Sequence, residues 1–127
     1  YKALFQRPRP SRLPPQLLPP IAVPGHAAFP SGHATEAYTV RFCLGEVLKQ
    51  AGNLVPSAST DDNPLERLAQ RIARNREVLG LHYPSDSKAG RILAEETVKL
   101  ANSDACPTIK ALVTAAAREW QEYAPTT

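Results

Sequence analysis

The chain has 127 residues, of which 43% are hydrophobic and 21% charged, as in one modest globular domain. Its net charge of +3 suits an anionic substrate but is too small to identify one. The basic residues are interleaved with acidic ones, and no basic run carries interleaved aromatics. We therefore expect no nucleic-acid partner.

The longest stretch without Asp, Glu, Lys or Arg spans residues 13–35 and is long enough to cross a membrane. It contains six prolines. Prolines at this density prevent a continuous helix, and a non-helical backbone cannot face lipid. The sequence therefore predicts no transmembrane segment.

The first predicted element is extended, because residues 1–30 hold eight of the thirteen prolines. A helix is predicted over residues 32–50, with Ser31 as its N-cap. A polar loop is expected over residues 52–62. Asn63-Pro64 then opens a second helix.

The second helix has a largely apolar face made of residues at helical spacing, namely Leu65, Leu68, Ala69, Ile72, Ala73, Arg76 and Leu79. The run from Tyr83 to Asp86 interrupts the chain and begins a third helix, which extends to about Asn102. Pro107 opens the last helix. No strand pattern is present, so the predicted fold is an all-α helical bundle with residues 31–123 as its helical core.

Cys43 and Cys106 are the two cysteines. They lack the spacing and companion ligands of a metal site. The sequence leaves open whether they pair or remain separate thiols.

Three short motifs carry chemistry. The first places Lys2 and Arg9 before Pro10, which alone indicates solvated charge. The second is Pro30-Ser31-Gly32-His33 at a helix start. Free N–H groups there bind anions, glycine permits close approach, and the histidine can shuttle a proton.

The third motif places Arg76 six residues before His82, with Asp86 four residues further on. The arginine offers a fork of donors that suits phosphate oxygens. The aspartate can hold one imidazole nitrogen and leave the other free as a nucleophile or a ligand. Alone, this motif also fits a structural His–Asp pair.

In this order and spacing, Lys-x6-Arg-Pro, Pro-Ser-Gly-His and Arg-x5-His-x3-Asp resemble the type 2 phosphatidic acid phosphatase (PAP2) superfamily. That group includes bacterial non-specific acid phosphatases and vanadium-dependent haloperoxidases. The resemblance covers residues 2–86. It departs at Asn75, where the family usually has serine, and an amide there can still support the site by a hydrogen bond.

The resemblance implies one catalytic domain, residues 1–127, with the PAP2-type bundle, and a periplasmic or secreted location. Family members have helices before the first motif. The chain is therefore expected to be the C-terminal part of a longer protein, or to work with a second chain or as a homo-oligomer. A lysine so near a chain terminus is expected to be poorly placed on its own.

The resemblance also implies site roles. Five residues would bind the phosphoryl group, namely Lys2, Arg9, Ser31, Gly32 and Arg76. His82 would attack phosphorus, Asp86 would orient His82, and His33 would protonate the leaving group. As a phosphatase the site needs no metal or cofactor, and its substrate would be a small phosphomonoester.

Three activities stay open. In a haloperoxidase the same residues hold vanadate, with His82 as its ligand. His26 lies seven residues before His33, where bromoperoxidases carry a second histidine, although it also fits a loop residue without a role. The run from His82 to Asp86 resembles the phosphatase branch, so we expect a phosphatase. An oxyanion-binding module without turnover is the third alternative.

Overall fold

The computed structural model describes residues 1–14, 16–52 and 63–123. These residues form helices and connecting segments without a strand, which confirms the all-α prediction. The helices are α1 (Lys2–Phe5), α2 (Gly32–Gln50), α3 (Pro64–Val78), α4 (Pro84–Ala101) and α5 (Pro107–Tyr123). A single 3-10 turn, Pro10–Arg12, lies between α1 and α2.

The helix starts confirm the predicted capping residues. The Ser31 hydroxyl accepts the Ala34 N–H at 3.3 Å, and the Asn63 side chain accepts from Leu65 and Glu66 at 3.0 and 3.2 Å. Each contact supplies an acceptor for an N–H that has no partner inside the helix. Gly52 follows α2 in a left-handed conformation, and the rest of the predicted loop lies outside the described residues.

The prediction that residues 1–30 are extended is wrong at α1 and at the 3-10 turn Pro10–Arg12. Helix α1 forms because prolines begin only at Pro8, so the first residues keep their N–H donors. Gln6 then ends α1 in a left-handed conformation. The segment packs on the bundle through the Ser11 N–H, which donates to the Gly80 carbonyl at 2.9 Å.

Helix α2 is the central helix and contacts α3, α4 and α5. The core residues where it meets α3 and α4 are small apart from one tyrosine: Ala34, Tyr38, Ala69, Ala73 and Ala94. Small side chains let the helices approach closely. The apolar face predicted for α3 is only partly buried, because Leu68 on that face is 58% exposed.

Gly90 sets the distance between α4 and the start of α2. A Cβ atom at this position would lie 2.7 Å from the Ser31 carbonyl oxygen and 3.0 Å from the Thr35 nitrogen. The close approach allows the Ser31 N–H to donate to the Asp86 carbonyl at 3.1 Å. The first turns of α2 and α4 are thereby joined.

The structure also bears on the predicted absence of a transmembrane segment and on the cysteine pairing that the sequence left open. Within the described residues, no helix combines the length and apolar character needed to cross a bilayer. Cys43 and Cys106 are separate, half-buried thiols.

We predict that Gly90→Ala lowers the free energy of unfolding by roughly 1–3 kcal/mol, because backbone atoms of α2 must move away from the added methyl group. Gly45→Ala is the matched control, since Gly45 lies in α2 with the nearest other atom 4.0 Å from the added Cβ. A helical Gly→Ala change without a clash stabilises. Urea denaturation measures both variants. A Gly90→Ala protein as stable as the wild type would contradict this account of the helix contact.

Candidate functional site

The structure brings the three motifs together. The N-terminal segment contributes Lys2 and Arg9, the start of α2 contributes Ser31 and Gly32, and the turn between α3 and α4 carries His82. Contacts of Arg9 with Leu81 and His82 join residues more than 70 positions apart in the chain.

Lys2 is fixed by the backbone that leads into α2. Its Nζ donates to the carbonyls of Ala27 at 3.0 Å and Pro30 at 2.8 Å, with Ala28 at 3.5 Å. The expectation that a terminal lysine would be poorly placed is therefore wrong. Burial lowers the pKa of Lys2, the charge of Arg9 lowers it further, and the carboxylate of Asp86 opposes both.

Arg9 is 2% exposed and contacts both flanking segments. Its Nη1 donates to the Leu81 carbonyl at 2.8 Å and lies 3.3 Å from His82 Nε2. Its Nε donates to the carbonyls of His26 at 3.2 Å and Pro24 at 3.3 Å. Burial lowers the pKa of Arg9, and the positive charge of Arg76 adds to that effect.

Arg76 is a second cation without a counter-charge. Its Nε is buried and has no hydrogen-bond partner, and no carboxylate in the described part of the chain forms an ion pair with it. An unpaired buried donor costs free energy that a bound acceptor would recover. Arg76 and Arg9 therefore form a pair of cations that lacks an anion.

The turn after α3 places His82. Gly80 adopts a φ of 67°, and the N–H groups of Leu81 and His82 both donate to the Arg76 carbonyl, at 3.1 and 3.3 Å. Glycine suits this left-handed position, which ends a helix and reverses the chain. The turn leaves His82 only 4% exposed, next to Arg9.

The two nitrogens of His82 have different partners. Because the Arg9 guanidinium can only donate, Nε2 is the acceptor and Nδ1 carries the proton in the neutral ring. Nδ1 points to Asp86 Oδ2 at 3.5 Å, a contact longer than a well-formed hydrogen bond. Burial, followed by the charge of Arg9, lowers the pKa of His82 from 6.5 to about 4 despite the opposing charge of Asp86.

Asp86 is fully buried, and both of its carboxylate oxygens are occupied. Oδ2 accepts the Tyr83 N–H at 2.9 Å, and Oδ1 accepts from Arg7 Nη1 at 2.7 Å. The sequence motifs did not identify Arg7. Its only sequence signal is the Arg-Pro-Arg-Pro run of residues 7–10.

The start of α2 presents free donors. The N–H groups of Gly32 and His33 have no acceptor among the described residues. Space beside the Gly32 Cα is open, as close approach of a ligand requires. The buried Ser31 hydroxyl accepts from Ala34 and can still donate its own proton.

Two predicted site residues, His33 and Asn75, differ from expectation, whereas His26, whose role the sequence left open, contacts Arg9. His33 is exposed and lines a cavity of about 330 Å³ between α2 and α3, without a hydrogen bond to the other described site residues. The Asn75 side chain is exposed on α3, and the supporting hydrogen bond expected of it is absent from the described contacts. His26 belongs to the site network, because its Nδ1 lies 3.2 Å from Arg9 Nη2.

No protein-family model matches this chain, and no curated protein matches it either. What the site can do therefore follows from its own charges and contacts.

We predict that His82 makes folding sensitive to acid. The pKa of His82 is lowered in the folded protein, so the unfolded chain binds more protons between pH 6.5 and about 4. The contribution of His82 to the free energy of unfolding is fully present above pH 6.5. It is lost as the pH falls through this window, which lowers the free energy of unfolding by up to about 3 kcal/mol. Urea denaturation across the window measures this loss.

His82→Gln should remove this part of the pH dependence. His33→Gln, the same substitution at an exposed histidine, is the matched control. Parallel stability–pH curves for the wild type and His82→Gln would contradict the burial of a neutral imidazole at position 82.

Proposed function

We propose that the chain is a metal-independent phosphatase that hydrolyses phosphomonoesters through a phosphohistidine at His82. One observation carries the proposal. Arg9 contacts the neutral ring of His82, and its charge and that of Arg76 act on each other. Neither arginine has a carboxylate partner among the described residues, and the buried carboxylate of Asp86 is already bound by Arg7. A bound dianion would supply the missing negative charge.

The arrangement of donors favours a phosphoryl group among oxyanions. Arg76 offers a buried Nε–H without an acceptor, and Arg9 offers the Nη1–H that faces His82 Nε2 in the free protein. The start of α2 adds the N–H groups of Gly32 and His33. A phosphoryl group in transfer spreads negative charge over three oxygens. Donors that approach from different sides stabilise that charge without reorganisation.

His82 has the state that a nucleophile needs. The lowered pKa keeps the ring neutral at pH 7, with a lone pair on Nε2. In the free protein that lone pair accepts a hydrogen bond from Arg9. When substrate binds, the Arg9 N–H would donate to a phosphoryl oxygen instead, which leaves Nε2 free to attack. Formation of the Nε2–P bond then breaks the ester P–O bond, and the electron pair leaves with the alcohol oxygen.

The remaining steps need a proton shuttle and a counter-charge. We assign the shuttle to His33, in the first turn of α2. Its side chain lines the cavity between α2 and α3 in the free protein, so it would first have to turn toward His82. It would then give its proton to the departing oxygen and take one from the water that attacks phosphorus. That attack breaks the Nε2–P bond and releases phosphate. Asp86 stabilises the positive ring of phosphorylated His82 through the Nδ1 proton.

We predict metal-independent hydrolysis of p-nitrophenyl phosphate that vanadate inhibits, because vanadate adopts the five-coordinate geometry of phosphorus in transfer. His82→Ala should reduce turnover at least about a thousandfold, since without the nucleophile only binding and electrostatic stabilisation remain. Absorbance of released p-nitrophenol measures both. Full activity in His82→Ala would contradict the assigned nucleophile.

His33→Gln tests the proton shuttle, with release of inorganic phosphate measured for two esters. The loss should be larger for phenyl phosphate than for p-nitrophenyl phosphate, because the poorer leaving group depends more on protonation. Equal losses on both esters would count against this role for His33.

Haloperoxidase activity is the second candidate, and the contact of His26 with Arg9 favours it. A histidine in that network could modulate an anion held by Arg9 and His82. Bound vanadate would supply the chemistry by which hydrogen peroxide oxidises halide. A folded protein that binds phosphate without hydrolysing it, and brominates with vanadate and peroxide present, would establish this alternative. Phosphate binding with neither activity would indicate the non-catalytic oxyanion-binding module.

A further inference from the structure

Arg7 occupies an unspecified position of the first motif, yet it contacts Asp86 more closely than His82 does. Its Nη1 is 2.7 Å from Asp86 Oδ1 and 2.7 Å from Ser85 Oγ. Its guanidinium carbon lies 4.0 Å from the centre of the Tyr83 ring. Three residues at the start of α4 therefore hold one side chain that comes from the N-terminal segment.

We propose that Arg7 is a positioning residue for the reaction: by holding Oδ1 of Asp86, it keeps Oδ2 directed at His82 Nδ1. The inference rests on the proposed phosphatase function and adds a residue to it. Arg7 itself needs no contact with substrate for this role.

The geometry of the carboxylate is the first argument. The terminal torsion of an aspartate is broad, so a single hydrogen bond does not fix the plane of its two oxygens. The Tyr83 N–H holds only Oδ2, and Arg7 holds Oδ1. The two contacts together set the plane, which matters because the 3.5 Å contact between Oδ2 and His82 is too long to do so itself.

The cost of an unpaired oxygen is the second argument. Asp86 is fully buried, so loss of Arg7 would leave Oδ1 without a partner and away from water. The carboxylate would then rotate toward another donor. Lys2 and Arg9, on which the charge of Asp86 already acts, would then attract it, so Asp86 would compete with the phosphoryl group for these cations.

Charge is the third argument. Three charged groups act on the His82 ring: Arg9 and Lys2 from the N-terminal segment and Asp86 from α4. Arg76, at the end of α3, contacts His82 through its backbone carbonyl. Arg7 partly neutralises Asp86. Without Arg7, the full negative charge near Nδ1 would favour the protonated ring and remove the nucleophile at a higher pH.

The test compares kcat and kcat/KM for p-nitrophenyl phosphate across pH in four proteins. Arg7→Gln should lower kcat on the order of 10–100-fold, as expected when an orienting partner is lost. The acidic limb of its kcat/KM profile should move to higher pH. Arg7→Lys should recover part of kcat, because it restores the charge. Arg74→Gln, an exposed arginine paired only with Glu77, is the matched control and should behave as wild type.

An NMR titration of the His82 ring gives a readout that needs no turnover. The ring signals are assigned because they are absent from His82→Gln. Arg7→Gln should move this titration to higher pH in a protein that remains folded. An unmoved titration and an unmoved acidic limb would overturn the role of Arg7. A shifted titration in a chain without any hydrolysis would overturn the phosphatase proposal and leave Arg7 as the residue that positions Asp86.

Discussion

The guanidinium of Arg9 ties the proline-rich segment to the turn that carries His82. A segment so rich in proline has few N–H donors with which to form regular structure, so side-chain donors must hold it in place. Arg9 does this by donating to the carbonyls of Pro24, His26 and Leu81. The same contacts bury the guanidinium of Arg9. Arg9 therefore both holds the segment in place and adds a buried positive charge to the site.

That buried charge accounts for the chemistry of the site. It acts with burial to keep His82 neutral, and it opposes Asp86, which alone would favour a charged ring. Arg76 also lacks a counter-ion among the described residues, so the free protein holds two cations whose charges act on each other, and one of them, Arg9, contacts Nε2 of His82. An anion that accepts from both arginines relieves their repulsion and releases the nitrogen from Arg9. Substrate binding and activation of His82 are thus one event in the proposed reaction.

Local sequence signals predicted the helices, whereas long-range contacts decide how the side chains of the candidate site meet. Ser31 and Asn63 mark helix starts because a cap acts within three residues of itself. Arg7 was missed because its partner Asp86 lies 79 positions away, and no local pattern encodes that pairing. The exposure of Leu68 was also missed, since periodicity identifies an apolar face but not whether a neighbouring helix covers it.

Rapid acid-free quenching of the protein during turnover of a substrate labelled with ³²P, followed by peptide mapping, tests the central claim most directly. The account predicts a phosphoryl label on His82 that is stable in base and released in acid, as a phosphorus–nitrogen bond requires, and that is absent from His82→Ala. A label on Ser31, or steady hydrolysis without any label on His82, would contradict it.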